Sequence, residues 1–188
     1  MTMQKIILAS QSPRRKQLLE WAEVDFEVII KETDESFPPG MNFEEAAMHI
    51  ARNKALAVSA INNITIPILA ADTIVVCNDQ LIGKPKDRAD ALRILKMLSG
   101  NHHKVITGVC IHSHKKEILF ADVTDVEFNA LTQQQIEFYV DKYKPYDKAG
   151  AYAIQEWIGV VGIKTIRGDF YNVMGLPVNR VVQALGEM

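Results

Sequence analysis

Residues 6–15 read Ile6-Ile7-Leu8-Ala9-Ser10-Gln11-Ser12-Pro13-Arg14-Arg15, a short apolar strand that runs directly into the start of a helix. Pro13 suits a first helical turn, because its missing N–H would find no partner inside the helix there. Ser12 before it is a natural N-cap. The same geometry has a chemical use. Helix N-termini attract anions through free N–H groups and the helix dipole, and the hydroxyl of Ser10 and the guanidiniums of Arg14 and Arg15 would gather at this one. Paired guanidiniums suit phosphate. Taken alone, the segment fits an ordinary capped helix with solvated arginines equally well.

Outward from this stretch, strands and helices alternate. The pattern predicts strands over 5–9 and 25–30, with a helix over 13–22 that turns Leu18, Leu19 and Ala22 inward. An acidic loop from Glu32 to Gly40 leads to an amphipathic helix over 43–60 bearing Ala47, Ile50, Ala51, Lys54 and Ala55. Residues 66–77 form a long apolar run, the best candidate for a central strand. A turn at Asn78-Asp79-Gln80 gives a short return at Leu81-Ile82-Gly83. Further on come a helix over 87–98 ended by Ser99-Gly100, paired strands over 103–112 and 117–128, and a helix over 132–143 capped by Thr132. A loop over 145–150, a strand over 159–166 and a final helix over 175–186 complete the chain. Early alternation and a late hairpin point to a single α/β domain over 1–188 with a mixed sheet.

Bulk properties exclude several classes. The 188 residues suffice for one well-buried α/β domain. With 21 basic and 23 acidic side chains the formal charge is −2, and only 7% of residues are aromatic. A nucleic-acid or anionic-membrane binder would normally carry a basic excess and stacking aromatics. No apolar run approaches the ~20 residues that span a bilayer, and the first residues do not read as a signal peptide. Cys77 and Cys110 lie in apolar strand-like runs and read as small core residues in a reducing, cytoplasmic setting.

Asp72 interrupts the most apolar strand, where an ionised carboxylate is costly unless it is paired, hydrogen-bonded or metal-bound. Such a residue marks a ligand crevice in an α/β sheet, or else caps a loop at the strand end. Glu32, Asp34 and Glu35 are solvated loop charges, unless the loop folds over a phosphate site, where a carboxylate would hold a hard divalent cation. Lys54 on its helix face and Lys84 in Gly83-Lys84-Pro85 would join Arg14 and Arg15 in neutralising a polyphosphate; Lys148 is a further candidate. Each of these lysines could also be merely solvated. No phosphate-binding P-loop is present, and no serine or cysteine has the setting of an activated nucleophile. The five histidines read as surface or turn residues. The simplest chemistry left is attack by water, assisted by a carboxylate and a metal.

Several blocks, in order, resemble the Maf family of nucleoside triphosphate pyrophosphatases, first named for inhibition of septum formation. They are Leu8-Ala9-Ser10-Gln11-Ser12-Pro13-Arg14-Arg15, Asp34-Glu35, Lys54-Ala55, Ala71-Asp72-Thr73, Gly83-Lys84-Pro85, Ser99-Gly100, Thr107-Gly108, Asp147 through Gln155, and Gly175-Leu176-Pro177. Each is weak alone, but the ordered set is specific. The resemblance implies a fold like that of inosine triphosphate pyrophosphatases: an elongated mixed sheet, two lobes and a central cleft. It implies hydrolysis of a nucleoside triphosphate to monophosphate and pyrophosphate with Mg²⁺ or Mn²⁺, in a homodimer. Asp72 would be the proton acceptor, with Glu35, Lys54 and Lys84 as catalytic partners and Glu35 and Asp72 as metal ligands. Ser10, Arg14, Arg15, Thr73 and Gln155 would bind substrate. Arg14, Thr73 and Gln155 match the dTTP/UTP branch, with modified pyrimidine nucleotides as near relatives. The 7-methyl-GTP branch typically has Trp before the arginine, Gln after the aspartate and Glu in the late block, none of which is found here. The competing reading is a nucleotide-binding regulator of cell division with little catalysis.

Overall fold

The computed structural model describes residues 4–61 and 64–188. Its strands are β1 (Ile6–Leu8), β2 (Phe26–Val28), β3 (Ile68–Cys77), β4 (Gln80–Ile82), β5 (His102–His112), β6 (Glu117–Phe128) and β7 (Ile163–Arg167). Its helices are α1 (Pro13–Trp21), α2 (Phe43–Ser59), α3 (Arg88–Leu98), α4 (Gln133–Tyr143), α5 (Trp157–Gly162), α6 (Phe170–Met174) and α7 (Val178–Leu185). The sheet runs β2-β1-β3-β5-β6-β7, with β4 paired to β3. It is mixed, as expected: β1 is parallel to β2 and β3, while β3–β4 and β6–β7 are antiparallel. Chain contacts divide it into two compact units, to which β3, β5 and β6 each contribute a part.

The first unit comprises residues 1–73, 107–122 and 175–188. The parallel register sets Ile7 against Ile68 and Leu8 against Leu69, so the apolar opening strand lies beside the long central one. Ser12 caps α1, its Oγ accepting the Arg15 N–H at 3.4 Å, with Pro13 in the first turn. Helix α2 opens with a capping box: Asn42 Oδ1 accepts from Glu45 N at 2.8 Å, and Glu45 Oε2 accepts from Asn42 N at 3.0 Å. Ala51, Ala55 and Val58 on one face of α2 join Ile7, Ala9, Ile68, Ala70 and Cys110 in the core. Small residues let α2 come close to the sheet. A Cβ on Gly108 would lie 2.2 Å from the Ala47 carbonyl carbon, so only glycine fits beneath this helix.

The second unit comprises residues 74–106 and 123–174. Asn78 and Asp79 both adopt positive φ, the two-residue hairpin geometry that joins β3 to β4. Helix α4 carries the expected Thr132 cap, completed by Gln135. Here two readings need correction. The segment 159–166 is not one strand: residues 157–162 are α5, and β7 begins at Ile163. The β-branched pair Val160-Val161 suggests a strand, yet α5 turns Val160 out to solvent at 83% exposure and buries Ile158. His103 is not a surface residue. It is buried, its Nε2 lies 2.7 Å from Tyr152 Oη, and its ring stacks on Phe128. Cys77 and Cys110 are buried free thiols, as the apolar runs imply.

Candidate active site

In the first unit the polar groups converge where β1 meets α1 and β3 passes beside them. Arg15 is the organising residue. Its Nη1 donates to Ser10 Oγ at 3.0 Å, its Nη2 to Thr73 Oγ1 at 3.0 Å, and its Nε to the Gly175 carbonyl at 2.8 Å. Burial pulls this guanidinium below its ordinary value, and the nearby Asp72 opposes that pull. A guanidinium has five N–H donors, so these three bonds leave donors for an anion. Ser10 is buried and also accepts the Ser12 N–H at 3.3 Å. Thr73 Oγ1 lies 2.9 Å from Thr107 Oγ1. Arg15 therefore joins three segments that are remote in sequence: the start of α1, the middle of β3 and the turn before α7. Thr107 and the Gly175 carbonyl belong to this network, and the sequence singled them out only as parts of motif blocks. Arg14 sits half-buried in the first turn of α1.

Lys54 supplies the second half of the arrangement. Its position on α2 brings Nζ to 2.7 Å from Asp72 Oδ1 and 2.7 Å from Glu35 Oε1. Lys54 and Asp72 are largely buried, at 17% and 14% side-chain exposure, whereas Glu35 is 58% exposed. The buried carboxylate is thus paired, which satisfies the requirement that made Asp72 conspicuous. One lysine between two carboxylates leaves a single net negative charge, ill suited to a polyphosphate. A divalent cation on those carboxylates would reverse it. The donors are hard oxygens, and Mg²⁺ or Mn²⁺ is bound by one or two carboxylates with water and phosphate oxygens as the other ligands. The residues present therefore fit such an ion.

Lys84, Lys148 and Gln155 belong to the second unit. Lys84 is exposed in the loop after β4, and Gly150 N–H donates to the Gly83 carbonyl at 3.2 Å, so this loop is tied to the 3-10 turn Ala149–Ala151. Gln155 is exposed in the turn after Ile154. Lys148 is buried and already engaged, with Nζ 2.8 Å from Asp147 Oδ1 and 3.6 Å from Glu156 Oε1. It is a weak candidate for a phosphate ligand.

Comparison with known proteins places these residues in context. The family model for Maf-like protein matches residues 5–188. A dTTP/UTP pyrophosphatase of Parabacteroides distasonis is 48% identical over 96% of this chain and 94% of its own. A dTTP/UTP pyrophosphatase of Bacteroides fragilis is 45% identical over 98% and 96%. One from Cytophaga hutchinsonii is 48% identical over 97% and 84%. Among solved structures, the Staphylococcus aureus Ham1 protein superposes with a TM-score of 0.53 over 98% of each chain at 16% identity, a likeness of fold.

Proposed function

Since the chain belongs to the Maf-like protein family, we infer that it is a nucleoside triphosphate pyrophosphatase that hydrolyses dTTP and UTP to the monophosphate and pyrophosphate. The observation that carries this reading is the Lys54 ammonium held between Asp72 and Glu35 at 2.7 Å each, in the unit that also holds the Arg15 network. Besides holding a cation, this pair offers a carboxylate that can take a proton from water, a capacity that hydrolysis uses and simple binding does not. The three relatives named as dTTP/UTP pyrophosphatases, matched over nearly the whole chain, support the same activity.

In this reading Lys54 fixes Asp72 through Oδ1, and Asp72 accepts a proton from water at Oδ2 as that water attacks the α-phosphorus. The new oxygen–phosphorus bond forms as the α–β anhydride bond breaks, and pyrophosphate leaves. Arg14, Arg15 and Ser10 hold phosphate oxygens at the N-terminus of α1, and Lys84 offsets the negative charge that develops on the leaving pyrophosphate. Glu35 and Asp72 would hold the Mg²⁺ or Mn²⁺ ion, which supplies charge neutralisation on the phosphates. Thr73 and Gln155 select the base, the amide of Gln155 being able to donate and accept. The reading extends to one functional domain over 1–188, working as a homodimer on a free nucleotide in the cytoplasm, without nucleic acid or membrane. Among the described residues no helix is long and apolar enough to cross a membrane.

The test is pyrophosphate release from dTTP, UTP, CTP, GTP and 7-methyl-GTP with Mg²⁺ or Mn²⁺. Selective release from dTTP and UTP is expected. Release from 7-methyl-GTP instead would keep the chemistry and overturn the base assignment. Binding without release from any of them would leave a regulator rather than an enzyme.

A further inference from the structure

We propose that Tyr139 is a positioning residue for base selection, because its hydroxyl grips the Ala153–Glu156 turn on both sides of Gln155; this rests on the reading of Gln155 as a residue that meets the pyrimidine. Tyr139 lies on α4 with its side chain fully buried. Its Oη accepts the Ala153 N–H at 3.1 Å and donates to Glu156 Oε2. One phenol thus holds the backbone two residues before Gln155 and the side chain one residue after it. The turn is closed by Glu156 N–H to the Ala153 carbonyl at 3.1 Å, and Glu156 Oε1 faces the buried Lys148 ammonium at 3.6 Å. The first turn of α5 packs tightly on the same segment. A Cβ on Gly159 would lie 1.7 Å from the Ile154 carbonyl oxygen, and Gly159 N–H donates to the Glu156 carbonyl at 2.9 Å. Burial and the Glu156 carboxylate push the Tyr139 phenol far above its ordinary value, so it keeps the proton that it donates.

Gln155 itself is exposed. An exposed amide discriminates between bases only if its backbone is fixed, since a mobile turn would adapt to the wrong hydrogen-bonding edge and would lose ordering entropy on binding the right one. Tyr139, with Glu156 and Lys148, holds the turn that carries it. This also gives Lys148 a use that needs no phosphate: its ammonium, hydrogen-bonded to Asp147 at 2.8 Å, also attracts Glu156 at 3.6 Å.

Tyr139→Phe keeps the ring and removes one oxygen. The dTTP-over-CTP ratio of kcat/KM for pyrophosphate release is expected to fall by about tenfold, about 1.4 kcal/mol of discrimination, mainly through a higher KM for dTTP. The dTTP-over-CTP affinity ratio, measured by calorimetry on the full chain, should fall alongside it. In a Gln155→Ala background the same change should produce no further loss of ratio, because coupled residues are not additive. An equal fall for every nucleotide with the ratio kept, or full additivity with Gln155→Ala, would show a merely structural role and overturn the proposal. Glu156→Gln answers the same question through the ratio if the phenylalanine variant does not fold. A wild-type chain with no preference for dTTP in turnover or in binding would overturn the base assignment and this proposal together. A wild-type preference that survives both substitutions overturns this proposal alone.

Discussion

Asp72 lies in the apolar strand β3, where its largely buried carboxylate is paired with Lys54. Its neighbours Ala70 and Ala71 are fully buried, and Lys54 neutralises it at 2.7 Å. If it takes the water proton, Asp72→Asn keeps the shape and one acceptor but removes the basicity. Turnover of dTTP should then fall by on the order of 10²-fold or more in a variant that circular dichroism shows to be folded. A variant with retained turnover would remove Asp72 from that role. His103 makes a different prediction. Burial, with a smaller contribution from His102, lowers its pKa from 6.5 to about 4. Above pH 6.5 it is neutral folded or unfolded and has no effect on stability. As pH falls from 6.5 towards 4 the unfolded chain takes up a proton that the folded chain refuses. Stability should therefore drop across that window, by up to about 3 kcal/mol, and level off below it. Melting temperature against pH checks this, and His103→Gln should flatten the slope. Asp72 was legible because an ion in an apolar run is costly anywhere. His103 was not, since a histidine near charged residues looks the same in sequence whether its ring is solvated or packed on Phe128.

At the scale of elements, α2 is the one whose placement matters most to the proposed chemistry. It carries Lys54, and its distance from the sheet is set by Gly108. Gly108→Ala would force a Cβ into the Ala47-Met48 backbone of α2. The expected cost is about 1–3 kcal/mol or more, a fall of several degrees in melting temperature for a chain of this length. Turnover should fall with it as the Lys54–Asp72 contact shifts, and an unchanged melting temperature would refute the close approach. The elements themselves were read well where local chemistry is explicit, at Ser12-Pro13, Thr132 and the Asn78-Asp79 turn, while the Asn42–Glu45 capping box of α2 emerged only in the structure. Local rules failed at 157–167, where a six-residue helix hands over directly to a strand. Exposed Val160 and Val161 favour a strand intrinsically, and only the packing of Ile158 beneath them and the Ile154 carbonyl against Gly159 selects the helix. Helix α6, with five residues, is too short to show a period.

For the whole molecule, a formal charge of −2 and a lysine shared by two carboxylates make dependence on a divalent cation the expected behaviour. Chelation with EDTA should abolish pyrophosphate release, and Mg²⁺ or Mn²⁺ should restore it. The fold should not respond, because Lys54 already pairs with both carboxylates that would hold the ion. Unchanged circular dichroism and melting temperature in EDTA check that half, and persistent release in EDTA would refute the other. The sequence by itself determined the α/β class, the capped helix starts, the central apolar strand and the motif residues, because each follows from local backbone preference, burial cost or short-range spacing. Only the tertiary structure decided which of those residues meet. It brought Arg15 to Thr73 and to the Gly175 carbonyl, 160 positions away, and Lys54 to Asp72 from a different element. It also engaged Lys148 with Asp147 and Glu156 and buried His103. Such pairings depend on how the helices pack on the sheet, and no local pattern of residues encodes that distance.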